Sequence, residues 1–81
     1  MDAERQEEVA RGRRALRVFR GLTQEELATR AGLTRPSVGR AEQGADIEMS
    51  SLRAIAVVLD CDVGDYAEGR LPVSVAGEPR P

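Results

Sequence analysis

The chain has 81 residues, a formal net charge of −2, 41% apolar residues and 2% aromatic ones, which predicts one small domain with an aliphatic core. The absence of histidine and the single cysteine exclude the common zinc sites, the usual general base and histidine-activated nucleophiles, so we expect no enzyme and no cofactor. A charged N-terminus and the lack of any apolar run of about 18 residues argue against secretion and membrane insertion, and favour the cytoplasm.

Glycines separate the first three predicted helices. The spacing of apolar residues indicates a first helix over about residues 4–20, with Val9, Gly12, Leu16 and Phe19 on its inward face. Residues 23–26 read Thr-Gln-Glu-Glu, a capping box that opens a second helix over residues 24–31. Thr34 caps a third helix over about residues 35–43, in which a proline is tolerated because it lies in the first turn.

Two further helices and a tail complete the predicted organisation. Inward residues of a fourth amphipathic helix are Met49, Leu52, Ile55, Ala56 and Leu59. Asp62 opens a short fifth helix, which Gly69 ends. Residues 70–81 hold three of the four prolines and are expected to be mostly flexible, with a weak strand signal where apolar residues alternate at positions 71, 73 and 75. The sequence therefore predicts an all-α domain over residues 1–69 and a C-terminal tail over residues 70–81.

The charges are polarised along the chain. Residues 5–40 hold nine arginines and four glutamates, a local charge of +5, whereas residues 41–81 hold three arginines and eight acids, a local charge of −5. A basic half within an acidic protein predicts one face for a charged partner. Chance segregation of surface charge is the alternative interpretation.

Helices two and three have the spacing of a helix-turn-helix around Gly32, although any small αα-hairpin has a similar turn. The stretch LTQEELATRAGLTRPSVGRAEQG, residues 22–44, resembles the helix-turn-helix of the phage repressor and Cro-like proteins, the XRE family, and the similarity covers about residues 9–68. The resemblance implies a compact five-helix, lambda-repressor-like fold with its motif over about residues 23–43. It also implies a sequence-specific regulator of transcription, commonly a repressor, which binds double-stranded DNA as a homodimer with helix three in the major groove.

The same resemblance implies which positions contact DNA: Gln24, Thr34, Arg35, Pro36, Ser37, Gly39, Arg40 and Gln43. Arg35 is expected to pair with the O6 and N7 acceptors of guanine, and Gln24 and Gln43 to contact phosphates. Pro36 and Gly39 depart from the family because neither offers a polar side chain. Direct readout of bases is therefore expected to depend on Arg35 and Arg40.

Other positions have structural roles by the same resemblance. Arg17 and Glu42 occupy positions that form an ion pair in the family, and Arg13 stands where the family commonly has an apolar residue. The dimer contact is predicted from charge instead: the basic half should face DNA, which leaves the acidic half and the tail for the partner subunit, with Val63, Tyr66, Leu71 and Val73 at the contact. The alternative is that Val63 and Tyr66 only close the core.

Two rival functions keep the same fold. The first is an antitoxin, whose acidic half would neutralise a toxin partner. The second is a protein-interaction module without DNA binding, which the missing polar side chains at Pro36 and Gly39 favour.

Overall fold

Side-chain caps and left-handed glycines set several of the helix boundaries of this chain. A computed structural model describes residues 2–71, and over these residues the secondary structure consists of the helices α1 Asp2–Phe19, α2 Gln24–Ala31, α3 Arg35–Ala41, α4 Met49–Leu59 and α5 Val63–Glu68. The predicted all-α, five-helix fold is confirmed. The predicted tail from residue 72 onwards, including Val73 and most of the strand signal, lies outside the described residues.

The capping box predicted before α2 is present. The Thr23 hydroxyl accepts a hydrogen bond of 3.0 Å from the Glu26 backbone N–H, and the Glu26 carboxylate accepts one of 2.8 Å from the Thr23 N–H. These hydrogen bonds hold the pKa of Glu26 below its ordinary value. At the other end, Gly32 adopts the left-handed conformation with φ of 71°. Because residues with a Cβ rarely adopt that φ, glycine fixes both the end of α2 and the direction of the turn.

The core lies between the inward faces of all five helices. Leu27, Val38, Ile55 and Leu59 have no exposed surface, and Leu16 is 1% exposed. Helix α2 packs against α3 and α4, while α5 packs against α4 and α1. Aliphatic side chains therefore hold α2 and α3 against the rest of the domain.

Two predicted core residues lie at helix ends and are exposed instead. Phe19, the last residue of α1, is 44% exposed, and the guanidinium of Arg20 lies 5.3 Å from its ring centre. Met49, the first residue of α4, is 52% exposed. Helix α3 also ends at Ala41, two residues before the predicted end. Helical periodicity assigns a face correctly only while neighbouring elements cover that face, and at helix termini they often do not.

Arg13 is buried in the centre of the domain, with 4% of its surface exposed. Its guanidinium donates to the carbonyls of Ala41 and Ala45 at 2.8 and 3.1 Å, and to those of Tyr66 and Ala67 at 3.1 and 3.0 Å. Ala41 is the last residue of α3, Tyr66 and Ala67 lie in the last turn of α5, and Ala45 lies in the loop after α3. The three helical carbonyls belong to the negative ends of their helices, so a buried cation there is stabilised without a carboxylate partner. Burial lowers the pKa of Arg13 below its ordinary value.

A close backbone approach joins α1 to the end of α5. A methyl group added at Gly12 would overlap the carbonyl oxygen of Gly69. The glycine that would weaken an isolated α1 is therefore required by packing.

Candidate nucleic-acid interface

The turn between α2 and α3 presents one face of α3 to solvent. The Leu33 N–H donates a hydrogen bond of 2.8 Å to the Ala28 carbonyl, which fixes the turn after Gly32. Ala28 is 3% exposed, and its small side chain lets the two helices cross closely. Val38 and Ala41 are fully buried. Because these two residues face the core, the remaining positions of α3 form an outward face.

The outward face of α3 carries the residues predicted to contact DNA. Thr34, Arg35, Pro36, Arg40 and Gln43 are exposed, and Ser37 and Gly39 are half-buried. The Thr34 and Ser37 hydroxyls lie 2.9 Å apart, and the Arg40 guanidinium donates to Ser37 at 3.3 Å. Thr34 also accepts from the Ser37 N–H at 3.3 Å, which makes it the N-cap of α3. The structure therefore brings the predicted α3 residues together on one surface.

A shallow cleft of about 700 Å³ separates the start of α2 from the start of α3. Its walls include Thr23, Gln24 and Glu25 on one side and Arg35 on the other. Gln24 and Arg35, predicted from different helices, thus border the same cleft. An Arg and an amide can both donate to a phosphate or base edge there, while Glu25 adds a negative charge that opposes an anion.

A buried ion pair joins α1 to the end of α3. Arg17 donates to Glu42 through Nε at 2.6 Å and through its second terminal nitrogen at 3.1 Å, a bidentate geometry. The Arg17 side chain is 13% exposed and the Glu42 side chain 2% exposed. Arg17 also donates to the Leu22 carbonyl at 2.7 Å. The pair therefore fixes the end of α3 relative to α1 and to the loop before α2.

Gln24 belongs to the same network. Its side-chain amide donates to Oε1 of Glu42 at 3.1 Å. Sequence reasoning assigned Gln24 to DNA and Glu42 to structure separately, and no sequence signal connects them. The ion pair therefore positions the start of α2 as well as the end of α3.

Pro36 and Gln43 are exposed, Gly39 is half-buried, and the side chain of Gln43 has no hydrogen-bond partner among the described residues. The amide of Gln6 donates to the backbone carbonyl of Gln43 at 3.1 Å, which anchors that carbonyl and leaves the Gln43 side chain exposed. A methyl group added at Gly39 would meet nothing within 4 Å. The absence of a side chain at Gly39 is thus not imposed by the fold.

The predicted dimer residues do not form one surface. Tyr66 is 1% exposed and packs in the core, with the Arg13 guanidinium 5.2 Å from its ring centre, so its assignment to an exposed contact is wrong. Within residues 2–71 its hydroxyl has no hydrogen-bond partner, and burial raises its pKa. Val63 is half-buried against the core, and Leu71 is 37% exposed. Val73 lies outside the described residues. Tyr66 lies in the last turn of α5, which closes the core over Arg13, and its ring is therefore buried in the domain.

The short α2–α3 pair with a glycine turn, the buried inner face of α3 and its polar outer face define a helix-turn-helix domain. Residues 14–66 match the family model described as helix-turn-helix. The chain belongs to this family, the Cro/C1-type or XRE DNA-binding proteins. No curated protein and no solved structure gives a significant match.

None of the helices within residues 2–71 has the length and apolar character needed to cross a membrane.

Proposed function

We propose that this protein is a sequence-specific, double-stranded DNA-binding regulator of transcription, a repressor, which acts as a homodimer with α3 in the major groove. The observation that carries the proposal is the division of α3 into two faces. Val38 and Ala41 are fully buried, whereas Arg35 and Arg40 are exposed on the opposite side. A helix held this way can enter the major groove, where a guanidinium donates to guanine acceptors.

Charge supports the same function. The net charge of the chain is −2, yet residues 5–40, which include α2 and most of α3, have a local charge of +5. Basic side chains near a recognition helix release counterions when they meet phosphates, so the affinity for DNA should fall as salt rises. We place this activity in the cytoplasm, where such a regulator meets its DNA.

Selection of bound duplexes from a random DNA pool tests the proposal. We expect enrichment of a two-fold symmetric sequence whose half-sites lie about 34–36 Å apart, since a dimer places its two recognition helices about one helical turn of DNA apart. Enrichment of one sequence must be accompanied by weaker binding to shuffled duplexes of the same composition. Salt-insensitive or absent retention on every duplex would contradict the proposal and favour the protein-interaction module.

The antitoxin alternative is a different use of the same fold. Exposed acids on the far half of the domain, Asp60, Asp62 and Glu68, are the feature that favours it. Co-purification with the product of a neighbouring gene, followed by loss of that product's toxicity, would support a toxin partner. DNA selection separates the two because an antitoxin that does not regulate genes enriches no site.

A further inference from the structure

Val57 stands in solvent in the second half of α4. It is 79% exposed, the largest value among the big apolar residues within residues 2–71. Other apolar residues of this helix, such as Leu52, Ile55 and Leu59, are buried. A β-branched residue is also a weaker helix former than the common polar residues, so neither core packing nor helix propensity explains a valine at this position. One exposed apolar residue is ordinary, and its surroundings decide whether it matters.

Beside Val57 lies a shallow hollow of about 520 Å³. Its walls are formed by Ala56 and Val57 together with Asp60, Cys61 and Asp62. Burial raises the pKa of the Cys61 thiol to about 11, so Cys61 is neutral at physiological pH, whereas Asp60 and Asp62 place exposed carboxylates at the edge of the hollow. A two-fold axis through Val57 brings the valines of the two copies into contact with each other, beside the two hollows.

The charges on either side of Val57 are complementary in the same way. Arg53 lies one turn before Val57 on α4, and Asp60 follows Val57 by three residues, as the left-handed residue that ends this helix. Both charged residues are exposed, and in the part of the chain that the structure describes neither side chain forms a hydrogen bond or salt bridge. When two α4 helices cross antiparallel at Val57, Arg53 of each copy faces Asp60 of the other. The sequence therefore supplies two ion pairs across one axis.

The position of Val57 leaves the outward face of α3 free. The start of α4 approaches α3, where Ser51 lines a small depression with Ser37 and Arg40. Val57 lies six residues further along, about 9 Å up the helix axis. An axis through Val57 therefore does not cover Arg40.

We propose that two copies of this chain associate through the Val57 surface, defined as Arg53, Val57 and Asp60 with the adjoining hollow. The inference builds on the proposed function of a dimeric regulator and names the contact that replaces the one centred on Tyr66. A single helix of 11 residues buries less than the roughly 800 Å² per partner of a standard stable interface. Free dimers are therefore weak, and two half-sites on DNA complete the association.

Sedimentation equilibrium of the full chain at concentrations up to about 1 mM, where small interfaces associate, measures the contact directly. We expect the unmodified chain to dimerise and Val57→Glu to raise the dissociation constant at least about tenfold, because a charge would be buried at the axis. Val18→Glu is the matched control. Val18 is 61% exposed on α1, and Arg20, two residues later, reaches the carbonyls of Leu59 and Asp60. Since two residues correspond to about 200° around a helix, Val18 points away from α4 and its variant should dimerise normally.

Charge reversal provides the second arm. Arg53→Asp brings like charges together twice in its own dimer, and so does Asp60→Lys. Mixing the two variants restores both ion pairs, so each alone should be monomeric and the mixture should form a heterodimer. Loss of folding cannot produce that pattern, because an unfolded chain would not be rescued by mixing.

A monomer of the unmodified chain throughout this range would overturn the proposal. Unchanged dimerisation of Val57→Glu, or self-association of both charge variants, would also overturn it. The outcome is independent of DNA: a monomer that still selects a DNA sequence removes this interface and leaves the proposed function. A dimer that does not bind DNA supports this interface and contradicts the proposed function.

Discussion

The side-chain amide of Gln24 donates a hydrogen bond of 3.1 Å to Oε1 of Glu42, the carboxylate that also receives Arg17. A primary amide has two N–H donors, so one remains for a phosphate at the start of α2. The residue proposed to contact the DNA backbone is thus oriented by the pair that holds α3 in place. The position of the start of α2 therefore depends on the position of Glu42 at the end of α3.

Gln24→Ala is expected to weaken binding to every duplex by a similar factor. A hydrogen bond to a charged group contributes about 1.5–3 kcal/mol, and a phosphate contact carries no sequence information. Titrations of the selected site and of a shuffled duplex measure both losses. A change in sequence preference would show instead that Gln24 reads bases.

Arg17→Met is expected to lower the free energy of unfolding by about 3–5 kcal/mol, because Glu42 would remain as an unpaired buried carboxylate. Arg5→Met is the control, since Arg5 and Glu68 form an exposed pair with side chains 66% and 42% exposed. Exposed pairs contribute less than about 1 kcal/mol. Urea denaturation of both variants gives the comparison. Equal small losses would mean that the Arg17–Glu42 pair is solvated.

Arg13→Met is expected to destabilise the domain by at least about 2 kcal/mol. The carbonyls of Ala45 and Ala67 have no other donor among residues 2–71, and each of these part-buried acceptors would be left unsatisfied, which is unfavourable by about 1–3 kcal/mol when water cannot replace the donor. Arg14→Met, an exposed neighbour on the same helix, should leave stability nearly unchanged. A stable Arg13→Met protein would show that water or an apolar contact can replace the guanidinium.

Two glycine substitutions are expected to change the free energy of unfolding in opposite directions. Gly39→Ala should raise the free energy of unfolding by about 0.5–1 kcal/mol, because the added methyl group enters open space on a helix. Gly12→Ala should lower it by about 1–3 kcal/mol, because the methyl group would overlap the backbone of Gly69. Thermal melts distinguish them. A stabilised Gly12→Ala protein would mean that α1 and α5 are not in close contact.

Local signals in the sequence were sufficient for the secondary structure and for the outward face of α3. Thr23, Thr34 and Asp62 cap helices through neighbours three residues away or fewer, so their hydrogen bonds can be predicted from spacing alone. The division of α3 into a buried face and an exposed face can likewise be predicted from helical periodicity.

Contacts between distant segments were not predictable in this way. Arg13 reaches carbonyls 28 to 54 residues away, and backbone acceptors leave no residue type in the sequence that would reveal them. Tyr66 has an apolar ring with a polar tip, a composition equally suited to a core and to an interface. Its burial is decided by Arg13 and by the end of α5, which only the folded chain brings together.

Arg35 on α3 is proposed to read a guanine in the major groove. The test compares the selected duplex with one carrying 7-deazaguanine, in which a carbon replaces the N7 acceptor, at each guanine in turn. We expect one position in each half-site where the replacement weakens binding of the unmodified protein, within the roughly 1–3 kcal/mol of a bidentate contact. At that position the same replacement should not further weaken DNA binding by the Arg35→Ala variant. Additive losses at every guanine, or no loss at any, would contradict recognition through Arg35.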